Sequence, residues 1–264
     1  MEVVILQSPG EVANVAGRII AELVRARPQA VLGLATGETP KPVYAELVRL
    51  HRHEGLDFSG IATFNLDEYV GLGADHPASY RRSMEEHLFK HVNVGLRAAR
   101  MPDGLATDLE HACASYEQAI LAAGGIDLQV LGVGQDGHIG FNEPTSSLSS
   151  RTRIKTLTAR TRTIIGRHLS SGFEPPRHVI TMGIGTILEA RRCLVLAMGQ
   201  VKAAAVAKMI EGPITALVPA SALQLHPRTT ALIDEEAAAL LTLADYYRDV
   251  HNHKPDWQRK RDGV

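Results

Sequence analysis

The sequence predicts an α/β fold in which an open, mainly parallel sheet carries helices on both faces. Seven short apolar runs have strand length: Val3–Leu6, Ala30–Ala35, Ile61–Leu66, Leu128–Val133, Val179–Met182, Leu194–Met198 and Ala231–Ile233. Between them lie segments such as Glu11–Ala26, Pro42–Leu50, Ser79–His91 and Thr107–Ala122, whose apolar residues recur three or four apart. Strand-length runs separated by helices imply βαβ units, and their crossovers cover both faces of a parallel sheet.

The strands matter for where they end, because open α/β sheets bind ligands beyond the carboxyl ends of their strands. The second run leads into Thr36-Gly37-Glu38-Thr39-Pro40, which reads as strand, tight turn and helix start. Gly37 permits close backbone approach, Thr36 and Thr39 offer hydroxyls, and Pro40 or Pro42 suits a first helical turn. Free amides there favour a phosphate, although Glu38 must point away to allow one, and from these residues alone a plain strand-to-helix turn with a capping Thr is the stronger reading. The third run leads into Asp67-Glu68-Tyr69. Adjacent acids at a strand exit repel each other, so one is expected to hold its proton more tightly and exchange it with carbon or oxygen. The bland alternative is one acid capping the next helix and the other solvated.

The fourth run ends in Gly132-Val133-Gly134-Gln135-Asp136-Gly137, a match to the dinucleotide-binding glycine pattern. That pattern requires a helix at this point and an acid about 20 residues on. Instead the chain continues Ile139-Gly140-Phe141-Asn142-Glu143-Pro144, and no Asp or Glu lies between Glu143 and Glu174, so a nicotinamide site is not expected. Asp136-Gly137-His138 is more informative: a carboxylate two residues from an imidazole can orient the ring and set its tautomer. His87 and His91 stand at metal-ligand spacing, but the order is not HExxH and no third ligand is evident, so no metal is expected. From Arg151 to Arg167 the charges are all positive, without aromatic residues for base stacking, which suits discrete anion sites better than nucleic acid.

The totals agree with a globular protein. The 264 residues are 45% hydrophobic and 22% charged, and 28 Lys plus Arg stand against 29 Asp plus Glu, so no overall field recruits nucleic acid or an anionic membrane. Cys113 and Cys193 fit a reducing compartment, and Val3–Leu6 is too short for a signal or membrane segment, so a cytoplasmic location is expected. No repeat, linker or composition break divides residues 1–264, which read as one domain.

Taken together, Thr36–Pro40, Phe64–Leu72, His76–Tyr80, Gly132–Pro144, Ser146–Thr158 and Leu223–Pro227 resemble the glucosamine-6-phosphate deaminase family in order and spacing over nearly the whole chain. The resemblance implies a Rossmann-like sheet and a hydrolase/isomerase converting glucosamine 6-phosphate to fructose 6-phosphate and ammonia, with no metal or organic cofactor. It implies Asp67 as the base between C2 and C1, and His138 as the ring-opening residue, assisted by Asp136 and Glu143. It places the phosphate at Thr36, Gly37, Glu38 and Thr39 with Arg167 and Lys202. Glu38 departs from the family, which carries a small residue there. Ser146, Ser147, Arg153 and Lys155 match the site where hexameric members take N-acetylglucosamine 6-phosphate as activator, so a hexamer is expected. Residues 158–172 match a lid.

Two rival readings share parts of this pattern. A 6-phosphogluconolactonase resembles the fold and the Asp-Gly-His turn, but continues that turn differently and lacks the Asp67–Val70 arrangement. A non-catalytic sugar-phosphate sensor would carry a DNA-binding helix-turn-helix, and the first strand already begins by Val3.

Overall fold

The structure is a computed structural model and describes residues 1–95, 97–166, 176–255 and 258. Seven parallel strands lie side by side in the order β1 (Glu2–Leu6), β10 (Thr229–Asp234), β9 (Cys193–Ala197), β6 (Leu128–Gly132), β2 (Val31–Leu34), β3 (Ala62–Asn65) and β5 (Ala99–Arg100). The apolar runs form these strands because they are buried on both sides. In β9, Leu194 and Leu196 face one core, and Cys193, Val195 and Ala197 face the other. The first core is closed by α1 (Pro9–Ala26), α2 (Lys41–Glu54) and α3 (Tyr80–His87), through residues such as Ile20, Leu47 and Met84. The second is closed by α4 (Leu109–Ala122), α6 (Ile184–Leu188), α7 (Ala203–Ile210) and α8 (Glu235–Ala238), through Tyr116, Ile187, Val206 and Ala237. Each Leu or Ile so buried contributes about 1.5–3 kcal/mol, which fixes the layers. Among the described residues no helix is long and apolar enough to cross a membrane.

Strand order reverses beside β2. From there β3 and β5 build outward on one side, and β6, β9 and β10 on the other. Loops leaving β2 and β6 therefore diverge and open a crevice at their carboxyl ends.

One run departs from expectation. Val179–Met182 was expected in the parallel sheet, but its strand β8 (His178–Thr181) sits in a separate antiparallel sheet between β4 (Asp67–Tyr69) and β7 (Arg153–Thr156). A four-residue apolar run is equally at home in either sheet, since both its faces are covered; length and composition carry no strand direction. Asp67 pairs with Thr181 on one side of β8, and Arg153 pairs with Thr181 on the other. Tyr69, Phe141, Leu157 and Val179 form this sheet's own small core, with Leu72 and Tyr80 against it. The outer elements are α5 (Ala159–Gly166) and α9 (Ala244–Asn252), whose Ala244 and Tyr247 pack on the main core.

Thr145 has φ 77°, a left-handed conformation that a β-branched residue adopts only under constraint. Its N–H donates to the Ala216 carbonyl at 2.8 Å, tying the loop after Glu143 to the segment before Val218. Glycine takes this conformation without steric penalty, so Thr145→Gly is expected to raise stability by roughly 0.5–1 kcal/mol in urea denaturation. A loss of stability would show that the threonine side chain contributes more than its backbone costs.

Candidate active site

The β2 exit places the first group. Tyr44, buried on α2, reaches back to donate its hydroxyl to the Ala35 carbonyl at 2.5 Å, which fixes the turn that follows. Gly37 takes φ 113° at the tip of that turn. Glu38 points away: its side chain is 71% exposed and pairs with Lys41 at 2.6 Å, so its charge is answered outside the turn. Pro40 caps α2 without a side-chain hydrogen bond, and Pro42 lies in the first turn, as expected.

The two adjacent acids separate by environment. Glu68 is buried and accepts from the N–H groups of Tyr69 at 2.8 Å, Tyr80 at 3.0 Å and Arg81 at 2.8 Å, and from the Ser79 hydroxyl at 2.9 Å. It is the anchor for the first turn of α3. Asp67 is also buried, but its described contact is a long one, 3.5 Å from the Thr36 hydroxyl. Burial, and then the Glu68 charge, push the Asp67 carboxyl up to about 8. The capping alternative thus holds for one acid; the other is buried rather than solvated.

The third group is Asp136-Gly137-His138. The imidazole Nδ1 lies 2.6 Å from Asp136 Oδ1, and that bond is the main reason the Asp136 carboxyl falls to about 2. With Asp136 ionised, Nδ1 is the donor in that bond, and Nε2 is the ring nitrogen it leaves unengaged. Gly134 makes this possible. A Cβ there would stand 2.1 Å from Cε1, 2.2 Å from Nδ1 and 2.5 Å from Nε2 of His138, so the ring lies flat on the Gly134 backbone. The glycine pattern therefore seats an imidazole, not a dinucleotide. Lys202, just before α7, donates to the Val133 carbonyl at 2.8 Å; burial lowers its pKa, partly offset by Asp136.

Thr36, Asp67 and the His138 turn leave neighbouring strands, and Gly140 joins the last two: a Cβ there would lie 3.5 Å from Asp67 Oδ2. Glu143 is buried, and its described hydrogen bonds run to Thr158 and Thr161 at the start of α5 rather than to the imidazole. Ser146 is buried with its hydroxyl unpartnered, Ser147 bonds Ser149 at 3.1 Å, and Arg153 and Lys155 lie on β7. Arg167 and residues 167–172 of the expected lid lie outside the described residues. Cys113 and Cys193 are buried thiols. Among the described residues no three His, Cys, Asp or Glu gather as a metal site would require.

Residues 9–233 match the model of the family described as glucosamine-6-phosphate isomerases/6-phosphogluconolactonase. The chain belongs to that family. Glucosamine-6-phosphate deaminases of Arthrobacter sp. (strain FB24) and Streptomyces coelicolor are 52% and 51% identical to it, each over 98% of this chain and 99% of the relative. Among solved structures, a monomeric glucosamine-6-phosphate deaminase superposes with TM-score 0.89 at 47% identity, over 91% of this chain and all of that one. A 6-phosphogluconolactonase from Trypanosoma cruzi superposes with TM-score 0.73 at 21% identity, which shows the family fold alone. The matched span contains Thr36, Asp67, the His138 turn, Glu143 and Lys202.

Three features of this family member are not given by the sequence alone: which of the two acids anchors α3, the Tyr44 bond behind the β2 turn, and an aromatic wall. In that wall the Tyr80 and Phe141 rings stack 6.1 Å apart and the Tyr69 and Tyr80 hydroxyls meet at 3.0 Å. Ser79, a helix-capping residue 11 positions after Glu68, was a usable signal for the first; the others join residues with no local pattern.

The seat of the imidazole is open to test. Gly134→Ala should displace the ring and break the Asp136 bond, so the Asp136 carboxyl should titrate upward from about 2 toward its ordinary 3.8. Carbon-detected NMR of the carboxyl would read it. An unmoved titration would mean that Gly134 does not hold the pair together.

Proposed function

We propose that this protein is a glucosamine-6-phosphate deaminase, an isomerase-type enzyme releasing fructose 6-phosphate and ammonia. The observation that carries the reading is Asp67: a buried carboxyl with no counter-ion among the described residues, beside Gly140 of the turn that follows His138. The half-identical, full-length relatives that bear this name support the substrate.

His138 takes the proton of the C1 hydroxyl and passes it to the ring oxygen, which opens the sugar to its aldehyde; Asp136 steadies the imidazolium that forms in between. Asp67 then removes the C2 proton as the aldehyde oxygen takes up a proton given up by the amine, which forms an enolamine, and returns the C2 proton to C1. The product is an imine at C2, which water hydrolyses to the ketone with loss of ammonia. The sugar phosphate rests on the turn amides around Gly37 and Thr39, with Thr36 and Lys202 beside them and Arg167 as a further cation. Glu38 stays outside this set, since Lys41 holds it. Glu143 acts through α5, by ordering Thr158 and Thr161 at its start. The chain works as one unit of residues 1–264. The lactonase reading gains nothing beyond the shared fold.

An activator site for N-acetylglucosamine 6-phosphate belongs to the same proposal. Arg153 has no carboxylate partner among the described residues, burial lowers its pKa, and it lines a groove of about 570 Å³ between α4 and β7. Ser146 offers a buried, unpartnered hydroxyl nearby in sequence, and Lys155 lies on the same face of β7 as Arg153. Hexameric assembly accompanies that site. Light scattering should give about six chains, and the activator should lower half-saturating substrate in wild type but not in Arg153→Ala. A monomeric mass, as described for the solved relative, would overturn the hexamer; an activator effect untouched by R153A would overturn the site.

The reaction itself is tested by ammonia release from glucosamine 6-phosphate. Wild type should release it, and Asp67→Asn should lose about 10³-fold or more in kcat. The pH dependence has a definite sign. A base must be ionised, and Asp67 holds its proton up to about 8, so kcat/KM should climb about tenfold per pH unit below 8 and level off above it. No release from a folded enzyme, or undiminished release by D67N, would sink the reading.

A further inference from the structure

Thr181 ends β8 with no exposed surface, in a place where valine would fit the same space without a polar atom. A hydroxyl fully buried in a strand needs a partner to be tolerated. Its partner is the turn after His138: Thr181 Oγ1 accepts the Phe141 N–H at 3.0 Å. Its backbone stands opposite Asp67 in the antiparallel ladder. Gly140 lies between the two, since a Cβ there would be 2.9 Å from Thr181 Oγ1 and 3.5 Å from Asp67 Oδ2. The next residue extends the tie. The Met182 N–H donates to the Leu66 carbonyl at 2.7 Å, and the Met182 carbonyl accepts from Asn142 Nδ2 at 2.9 Å.

We propose that Thr181 is a positioning residue for the Asp67 base, holding the Gly140–Phe141 backbone against the Asp67 carboxylate through its hydroxyl and its place in the ladder. This rests on the deaminase reading. The seal matters because, among the described residues, the other titratable groups facing Asp67 supply no positive charge: Glu68 on its own strand, Tyr44 from α2, Tyr69, Tyr80 from α3 and Tyr116 from α4. Burial raises the pKa of each of those phenols, so they stay neutral while Asp67 titrates. Loss of the Thr181 acceptor leaves the Phe141 N–H buried without a partner, the turn backs away, and water reaches the carboxylate. Water favours the ionised form, so the Asp67 titration moves down in pH.

The test compares wild type, Thr181→Val and Thr181→Ser in ammonia release and its pH profile, with carbon-detected NMR titration of the Asp67 carboxyl. T181V should lose about 10- to 100-fold in kcat with KM changed less than about threefold, because the base is misplaced rather than the substrate released. Its acid limb and its Asp67 titration should both move to lower pH. T181S keeps the acceptor and should stay near wild type in all three. Thr181→Ala removes the acceptor without adding a methyl and takes the place of T181V if that variant does not fold. A wild-type kcat and acid limb in T181V overturns the proposal. So does a T181S as impaired as T181V, which would make the methyl packing the source of the effect. If wild type releases no ammonia, the deaminase reading fails, and the NMR titration decides alone: an unmoved Asp67 in T181V overturns the positioning role.

Discussion

Two consecutive carboxylates enter the interior at the crossing from β3 to β4, and the rest of the site depends on how differently the fold treats them. Successive residues of a strand point to opposite sides, so Asp67 and Glu68 meet different surroundings although they are neighbours in sequence. Glu68 receives four donors, three from backbone amides and one from Ser79, which is what a buried carboxylate requires. Asp67 receives one long contact from Thr36. The satisfied acid then acts on the unsatisfied one: its charge adds to burial in holding the Asp67 proton. Two carboxyls whose environments push them apart are the arrangement by which one fold obtains an anchor and a base from the same residue type.

The sheet was legible because parallel strands are buried on both faces, and a run such as Leu194–Met198 can then be apolar throughout. Its boundaries fell within a residue or two of β9. The small antiparallel sheet was not legible. Asp67–Tyr69 is polar and three residues long, Arg153–Thr156 alternates charge with Ile154, and β8 looks like any core strand. What makes them a sheet is pairing at a distance, with β4 more than 100 residues and β7 more than 20 from their β8 partners, which no local pattern encodes. The same limit hid Thr181, whose partner Phe141 lies 40 positions away.

The site residues were legible in kind more than in role. Asp67 and His138 stand out in the sequence because adjacent acids at a strand exit repel each other and because a carboxylate two residues from an imidazole can orient it, and the structure places Gly140 of the His138 turn beside the Asp67 carboxylate. Glu143 was expected at the imidazole, yet its described bonds go to Thr158 and Thr161, because the chain turns at Pro144 and carries the carboxylate toward α5. The glycines of the 132–137 segment show why a pattern needs its context. Close approach of a ligand backbone and close approach of the protein's own His138 ring both demand a missing Cβ, and the sequence records only that it is missing. The failure of the following residues to form a helix was the evidence that separated the two.

A base that is protonated at rest raises the question of how it becomes ready to work near neutrality. With a carboxyl titrating at about 8, only about a tenth of the molecules carry the ionised form at pH 7. Among the described residues, the titratable groups that act on Asp67 are an acid and phenols, with no cation among them to draw the proton off. On the deaminase reading the substrate does: its C2 amine, protonated in water, brings a positive charge beside the C2 proton that Asp67 must remove. An opposite charge within a few ångströms favours the carboxylate, and the dry surroundings that raised the pKa also strengthen that attraction. The burial that keeps Asp67 neutral in the resting protein is thus the condition for its ionisation to follow the substrate. A solvated aspartate would be ionised at all times, but would lose most of the contrast between an ammonium-bearing sugar and a neutral one.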